Sequence, residues 1–289
     1  MHYFSVINVN YSNDFAPAMI SSAISYKDSV IHYLKAGSGE RLLFFFHGYG
    51  ESATSFATVA EKLSDNFTIV AIDLPFHGKT GWNESQVVKP KELVDILDAI
   101  AARESKRLDK WLISGYSLGG RIALMILQLV PERINHVVLL APDGLTINGW
   151  YRLATRSYLG NRLFRYTMKN PGWFMKFLRT ANRLKVVNQS IYKFSISYLQ
   201  DPGIRMDLYL RWTGLREFRP DVGKLKKIVL KENILVDLVY GRFDRIIRYQ
   251  QAEKFRSGIE KQTRLTILDA GHQLFHPRTI DAITKVFTG

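Results

Sequence analysis

Lys110–Val130 reads KWLISGYSLGGRIALMILQLV, and its middle decides the fold. Lys110–Tyr116 is a short apolar run of the kind a buried strand needs. Leu118–Val130 has helical apolar spacing and stops before Pro131, since the residue ahead of a proline avoids the helical region. Between them Gly115-Tyr116-Ser117-Leu118-Gly119 forms the pattern G-x-S-x-G. With Gly and Ser each near about 7% of residues, a chain of this length gives on the order of 0.1 such matches by chance. A sharp turn from strand into helix lifts the serine above a sheet, and small residues on either side permit the close approach. The helix start beneath Ser117 offers unpaired N–H groups and the positive end of the dipole. The plainer alternative is a serine that caps a helix after a glycine-rich turn.

Outward from this stretch, short apolar runs alternate with amphipathic ones. Arg41–His47, Phe67–Leu74, Ile134–Ala141, Ile234–Tyr240 and Leu265–Leu268 read as strands. Ser52–Leu63, Pro90–Glu104, Ile246–Ile259 and Pro277–Phe287 read as helices. Strands alternating with helices predict a parallel sheet covered on both faces, with ligands beyond the carboxyl ends of the strands. Leu145 to about Leu225 breaks the pattern. It is rich in Trp, Tyr, Phe and Arg, and Tyr151–Leu159, Trp173–Leu184 and Ser190–Leu199 read as amphipathic helices of an inserted subdomain.

These motifs together resemble the α/β-hydrolase superfamily, in its capped serine esterase and hydrolase branch. The resemblance runs from about Ser25 to Phe287. It rests on the elbow, on His47-Gly48-Tyr49-Gly50 after the first strong strand, on Asp73-Leu74-Pro75-Phe76-His77-Gly78 after the next, and on Gly241-Arg242-Phe243-Asp244 and Gly271-His272. Phe76 stands where the superfamily's D-x-x-G-H-G has glycine, a departure in a structural turn. The implied fold is a mostly parallel sheet flanked by helices. Residues 1–144 and 226–289 would form the core, and 145–225 a helical cap.

A serine hydroxyl is a weak nucleophile and needs a base, itself oriented by a third group. The superfamily order of Ser, acid and His points to Ser117, Asp244 and His272. His276, ahead of Pro277, is the second histidine near the C-terminal end, and Asp143, after Ile134–Ala141, is the rival acid. Asp237 lies inside a strand and reads as structural. His47 and His77 read as turn-holding. The resemblance assigns the oxyanion donors to the N–H groups of Tyr49 and Leu118. Tyr116 and Arg121 are candidate substrate-binding residues. Arg121 has two readings, a receptor for a substrate carboxylate or a helix-face arginine paired with a neighbouring loop.

Composition bounds what remains. The 289 residues are 46% apolar and 23% charged, which excludes a disordered chain. There is no cysteine, so thiol catalysis, disulfides and Cys-bound metal are excluded. No metal-binding or nucleotide-binding motif occurs, and neither metal nor organic cofactor is expected. The N-terminal stretch lacks the order of a signal peptide and no apolar run is long enough to span a bilayer; a cytoplasmic protein is the expectation. The net charge of +14 is concentrated: Leu145–Pro220 holds 14 Lys/Arg against 3 acids. The basic and aromatic segment suits an apolar acyl or aromatic substrate pocket, an anionic membrane surface, or a merely solvated face. Nucleic acid is not expected, because no recognition motif accompanies the charge. The expected activity is hydrolysis of a carboxylic ester or related acyl substrate through an acyl-enzyme. C–C bond hydrolysis or lysis, acyl transfer, and a non-catalytic binding protein on the same fold are the alternatives.

Overall fold

Arg41–Phe46 (β4) is apolar at every position after its first and is buried on both faces, which puts it in the middle of a sheet. The computed structural model describes residues 6–7, 19–104, 110–146, 149–187, 192, 196 and 198–289. Its strands are Val6–Ile7 (β1), Ile20–Tyr26 (β2), Ser29–Ala36 (β3), β4, Phe67–Ile72 (β5), Trp111–Tyr116 (β6), Ile134–Leu140 (β7), Leu235–Gly241 (β8) and Thr263–Leu268 (β9). They form one sheet in the order β1-β2-β3-β5-β4-β6-β7-β8-β9. From β5 to β9 every pairing is parallel, whereas β1, β2 and β3 join antiparallel. The chain leaves β4 to one side for β5 and returns to its other side as β6. The carboxyl ends of β4 and β6 therefore flank a topological switch point, where a parallel sheet leaves a crevice.

Contact between residues divides the chain into two units. The first comprises Met1–Glu84, Lys89–Thr146 and Phe218–Gly289. On one face of its sheet, Leu43, Phe45, Ile69 and Ala71 pack against Ala57–Leu63 (α1) and Ile280–Thr288 (α10), through Phe56, Leu63, Ile283 and Phe287. Phe45 stacks on Phe56 with centroids 3.8 Å apart. Pro90–Glu104 (α2), Leu118–Leu129 (α3) and Val222–Glu232 (α8) form a second group of packed helices, with α3 lying against β4, β6 and β7. Each fully buried Phe or Leu in this core contributes roughly 1.5–3 kcal/mol.

The second unit comprises Ser85–Val88 and Ile147–Glu217. Its helices are Gly149–Arg156 (α4), Tyr158–Lys169 (α5), Gly172–Arg183 (α6) and Pro202–Gly214 (α7). Met168, Leu178, Leu199 and Tyr209 form its small core. The expected Tyr151–Leu159 helix is divided between α4 and α5, because the Ser157 hydroxyl accepts the Gly160 N–H and starts a new helix. The expected Ser190–Leu199 helix lies largely outside the described residues. Helix α7 was not anticipated, although Asp201 accepting from Ile204 N–H, followed by Pro202 in the first turn, is a start signal present in the sequence.

Two further differences are local. The β2–β3 hairpin escapes a sequence reading because its turn, Lys27-Asp28, lacks the usual Asn-Gly chemistry and forces Lys27 to φ 52°. The expected Ile246–Ile259 helix is confined to Gln250–Arg256 (α9), since the Ile246 and Ile247 N–H groups turn instead onto the Asp244 carboxylate.

Candidate active site

Ser117 sits between β6 and α3 with φ 50° and ψ −113°, a strained positive-φ conformation that costs a side-chain-bearing residue roughly 1–3 kcal/mol. Neighbouring bonds hold it there. Its N–H donates to Leu140 O at 3.0 Å, and its carbonyl accepts from Gly120 and Asp143 N–H at 2.9 and 2.8 Å. The flanking glycines are required by close approach. A Cβ on Gly115 would lie 2.1 Å from Gly119 O, and one on Gly119 would lie 1.8 Å from Phe46 O.

The Ser117 hydroxyl lies 3.0 Å from His272 Nε2, and His272 Nδ1 lies 2.7 Å from Asp244 Oδ2. Three strand ends supply these groups: β6, the loop after β8 and the loop after β9. Asp244 is buried, which works to raise its pKa. The His272 hydrogen bond and the Ile247 and Ile246 N–H groups outweigh burial and hold the carboxyl below its ordinary range. With Asp244 ionised, Nδ1 carries the proton and Nε2 faces Ser117 as an acceptor.

The other predicted residues divide by role. Leu118 opens α3, so its N–H has no partner a turn earlier in the helix. Tyr49 follows β4 in the adjacent loop, where the Glu51 carboxylate accepts Gly48 N–H at 3.2 Å. Tyr116 is buried, with its hydroxyl 3.0 Å from His272 O and 2.8 Å from Gln273 Oε1, and its ring beside the His272 imidazole at 5.4 Å. Burial first, and then the charges of Glu51 and Asp244, raise the Tyr116 phenol and keep it protonated. Arg121 is buried and forms a two-nitrogen ion pair with Asp143. Asp143 thus meets Arg121 and the elbow carbonyl, while Asp244 meets the histidine. His276 Nδ1 accepts Arg278 N–H in the turn ahead of α10. His47 and His77 hold turns, the first accepting Leu74 N–H and the second bonding Pro75 O.

Sequence reasoning missed Gln273, whose only signal is its position beside His272. It also missed a second Ser-His-Asp alignment: Ser21 Oγ lies 2.8 Å from His32 Nε2, and His32 Nδ1 lies 2.7 Å from Asp73 Oδ2. Asp73 further accepts Ala53 and Lys79 N–H groups, so this cluster ties the β2–β3 hairpin to the loops after β4 and β5. Among the described residues no cluster of His, Asp or Glu could hold a metal ion, and no helix is long and apolar enough to cross a membrane.

Known proteins share this architecture. A family model described as alpha/beta hydrolase fold matches residues 41–206. The uncharacterized protein Rv2715 of Mycobacterium tuberculosis is 30% identical over 275 residues, covering 86% of this chain and 76% of its own. A pimeloyl-[acyl-carrier protein] methyl ester esterase of Pectobacterium carotovorum is 28% identical over 124 residues, 42% of this chain and 46% of its own. Among solved structures, the thioesterase domain from the curacin biosynthetic pathway superposes with a TM-score of 0.65 at 16% identity, covering 94% of this chain and all of that one. A sheet of this order, an elbow serine at its switch point and a family model spanning more than half the residues make this chain a member of the α/β-hydrolase fold family.

Proposed function

We propose that the protein is a serine hydrolase that cleaves carboxylic esters or related acyl substrates. The observation that carries this reading is the unbroken line from Ser117 Oγ through His272 to the buried Asp244, at 3.0 and 2.7 Å. Ser117 attacks the acyl carbon while His272 Nε2 takes its proton; Asp244 keeps the imidazole in the right tautomer and stabilises the imidazolium. The Leu118 and Tyr49 N–H groups receive the oxyanion, and each such donor is worth about 10²–10³ in rate. Collapse expels the alcohol, which takes the proton from His272 and leaves an acyl-enzyme. Water, deprotonated by the same histidine, then releases the acid. The likeness to a methyl ester esterase favours an ester over an amide.

Tyr116 and Arg121 act in this reading as positioning residues, not as substrate contacts. Tyr116 steadies the His272 loop. Arg121, already matched by Asp143, braces the turn that presents Ser117. That pairing disfavours a carboxylate receptor at Arg121 and with it the C–C cleavage alternative. A fluorophosphonate probe should label the wild-type protein on Ser117, and Ser117→Ala should remove the label. A folded wild-type chain that neither takes the probe nor turns over p-nitrophenyl esters overturns the reading. Product analysis with added alcohols separates hydrolysis from acyl transfer.

A further inference from the structure

The second unit carries a surface that is both basic and apolar and stays largely exposed. Residues 149–187 include nine Lys/Arg and no Asp or Glu, and all nine are exposed. Among the described residues none of the nine forms an ion pair. A subset of the apolar residues on the same helices is exposed as well. On α5, Leu159, Leu163 and Tyr166 recur at i, i+4 and i+7 and are 76%, 54% and 56% exposed. On α6, Trp173 and Phe177 recur at i and i+4, and on α4 Trp150 and Leu153 recur at i and i+3; all four are exposed. The inward faces of α5 and α6 are already occupied, by Phe164, Met168, Phe174 and Leu178. Helices α4, α5 and α6 pack successively against one another, so the outward stripes belong to neighbouring helices.

Single exposed apolar residues are ordinary, but stripes on three consecutive helices need a partner. The chemistry selects that partner. Aromatic and aliphatic side chains set among lysines and arginines suit the boundary between lipid headgroups and acyl chains, where rings and alkyl groups sink and cations meet phosphates. A second copy of this unit would bring nine cations against nine and repel. A nucleic acid would satisfy the cations and leave Leu153, Leu159 and Leu163 in water. We infer that the outer surface of α4, α5 and α6 docks the protein on an anionic phospholipid bilayer, with Trp150, Leu159, Leu163 and Phe177 at the depth of the headgroups and the Lys/Arg side chains on lipid phosphates. The inference does not depend on the hydrolase reading, since its readouts are binding and fluorescence.

The test uses the whole chain and vesicles of phosphatidylcholine with or without about 30 mol % phosphatidylserine. Sedimentation should carry the protein with the anionic vesicles, with a blue shift of tryptophan emission, and at least about tenfold less with pure phosphatidylcholine. Raising the salt should weaken binding. Leu159→Ser with Leu163→Ser should lower binding about tenfold or more with Tm little changed, because both side chains are more than half exposed, and Phe177→Ser, which also loses its stacking on Phe174, should lower binding as much. Arg162→Glu with Arg165→Glu should do the same. Failure of the wild-type chain to bind anionic vesicles overturns the inference. So does binding that the Leu159, Leu163 and Phe177 variants leave unchanged. Tighter binding to a short DNA or RNA duplex than to the vesicles assigns the surface to nucleic acid instead. A concentration-dependent dimer abolished by the same variants assigns it to a second copy.

Discussion

Among the described residues a serine, a histidine and an aspartate in hydrogen-bonded line occur twice, and the proposed chemistry belongs to one set. Ser21 lies on a strand, in extended backbone, with no helix start beside it. Ser117 lies at a positive φ at the start of α3. The difference is position: of the two serines, Ser117 is the one followed by a helix start, where the Leu118 N–H has no partner a turn earlier in the helix. Ser21→Ala should therefore leave fluorophosphonate labelling intact, as mass spectrometry of the labelled peptide will reveal. Asp244→Asn keeps the shape of the acid but removes its charge and favours the wrong imidazole tautomer. It should lower kcat by about 10³–10⁴-fold with KM little changed, measured on a chromogenic ester. Phe76 shows how a motif departure is tolerated. It takes φ 67°, the left-handed conformation for which the superfamily's glycine is suited, so the turn survives the substitution at the cost of local strain.

At the scale of elements, the elbow works because α3 starts almost in contact with the end of β4. No side chain fits there. Gly119→Ala would drive a methyl group into the Phe46 carbonyl, and backbone on both sides must move. The expected outcome is loss of more than about 2 kcal/mol of stability and loss of probe labelling, read by denaturant unfolding and gel fluorescence. Gly81→Ala is the control, because a Cβ there meets nothing within 4 Å. It should change stability by less than about 0.5 kcal/mol. The elements that a sequence reading lost follow a physical pattern. The antiparallel β2–β3 pair carries polar residues among its apolar ones and turns without glycine. Helix α9 is shortened by a local turn, in which the Asp244 carboxylate takes the N–H groups two and three positions after it.

At the scale of the molecule, three buried aspartates among the described residues act as electrostatic ties. Asp237 binds His136 at 2.6 Å and Arg264 through both oxygens, joining β7, β8 and β9. Asp73 joins the hairpin to two loops, and Asp244 holds His272. Burial opposes ionisation in each. For Asp237 the hydrogen bonds from His136 and Arg264 outweigh it, and for Asp73 those from His32 and the Lys79 and Ala53 N–H groups do. All three folded-state pKa values lie below the ordinary carboxylate value. Their stabilisation is therefore complete above the unfolded-state pKa of about 4 and is lost as pH falls through the lowered folded values. Tm should accordingly be steady at neutral pH and drop steeply below about pH 4. Asp237→Asn should cost about 2–3 kcal/mol at pH 7, less than a fully enclosed pair because Arg264 is half exposed. It should also flatten the acid limb of a Tm-against-pH curve.

The chain's local chemistry specified the parallel core and the elbow, while the expectation of Ser117, Asp244 and His272 came from the resemblance to the superfamily. A buried strand needs an apolar run and an elbow needs small flanking residues, and both are written within a few positions. Local chemistry alone does not separate Asp143 from Asp244, which motif position in the superfamily favours. Both follow strands, and what separates them is which side chain each meets in the folded chain: Arg121 of α3 for one, His272 for the other. Ser117 and His272 are 155 positions apart, and only the strand order brings their loops to one edge. The same holds for the Tyr116 hydroxyl on the His272 carbonyl and for the Ser21–His32–Asp73 tie. Local sequence sets what each segment can form, whereas pairing between distant segments sets which side chains meet.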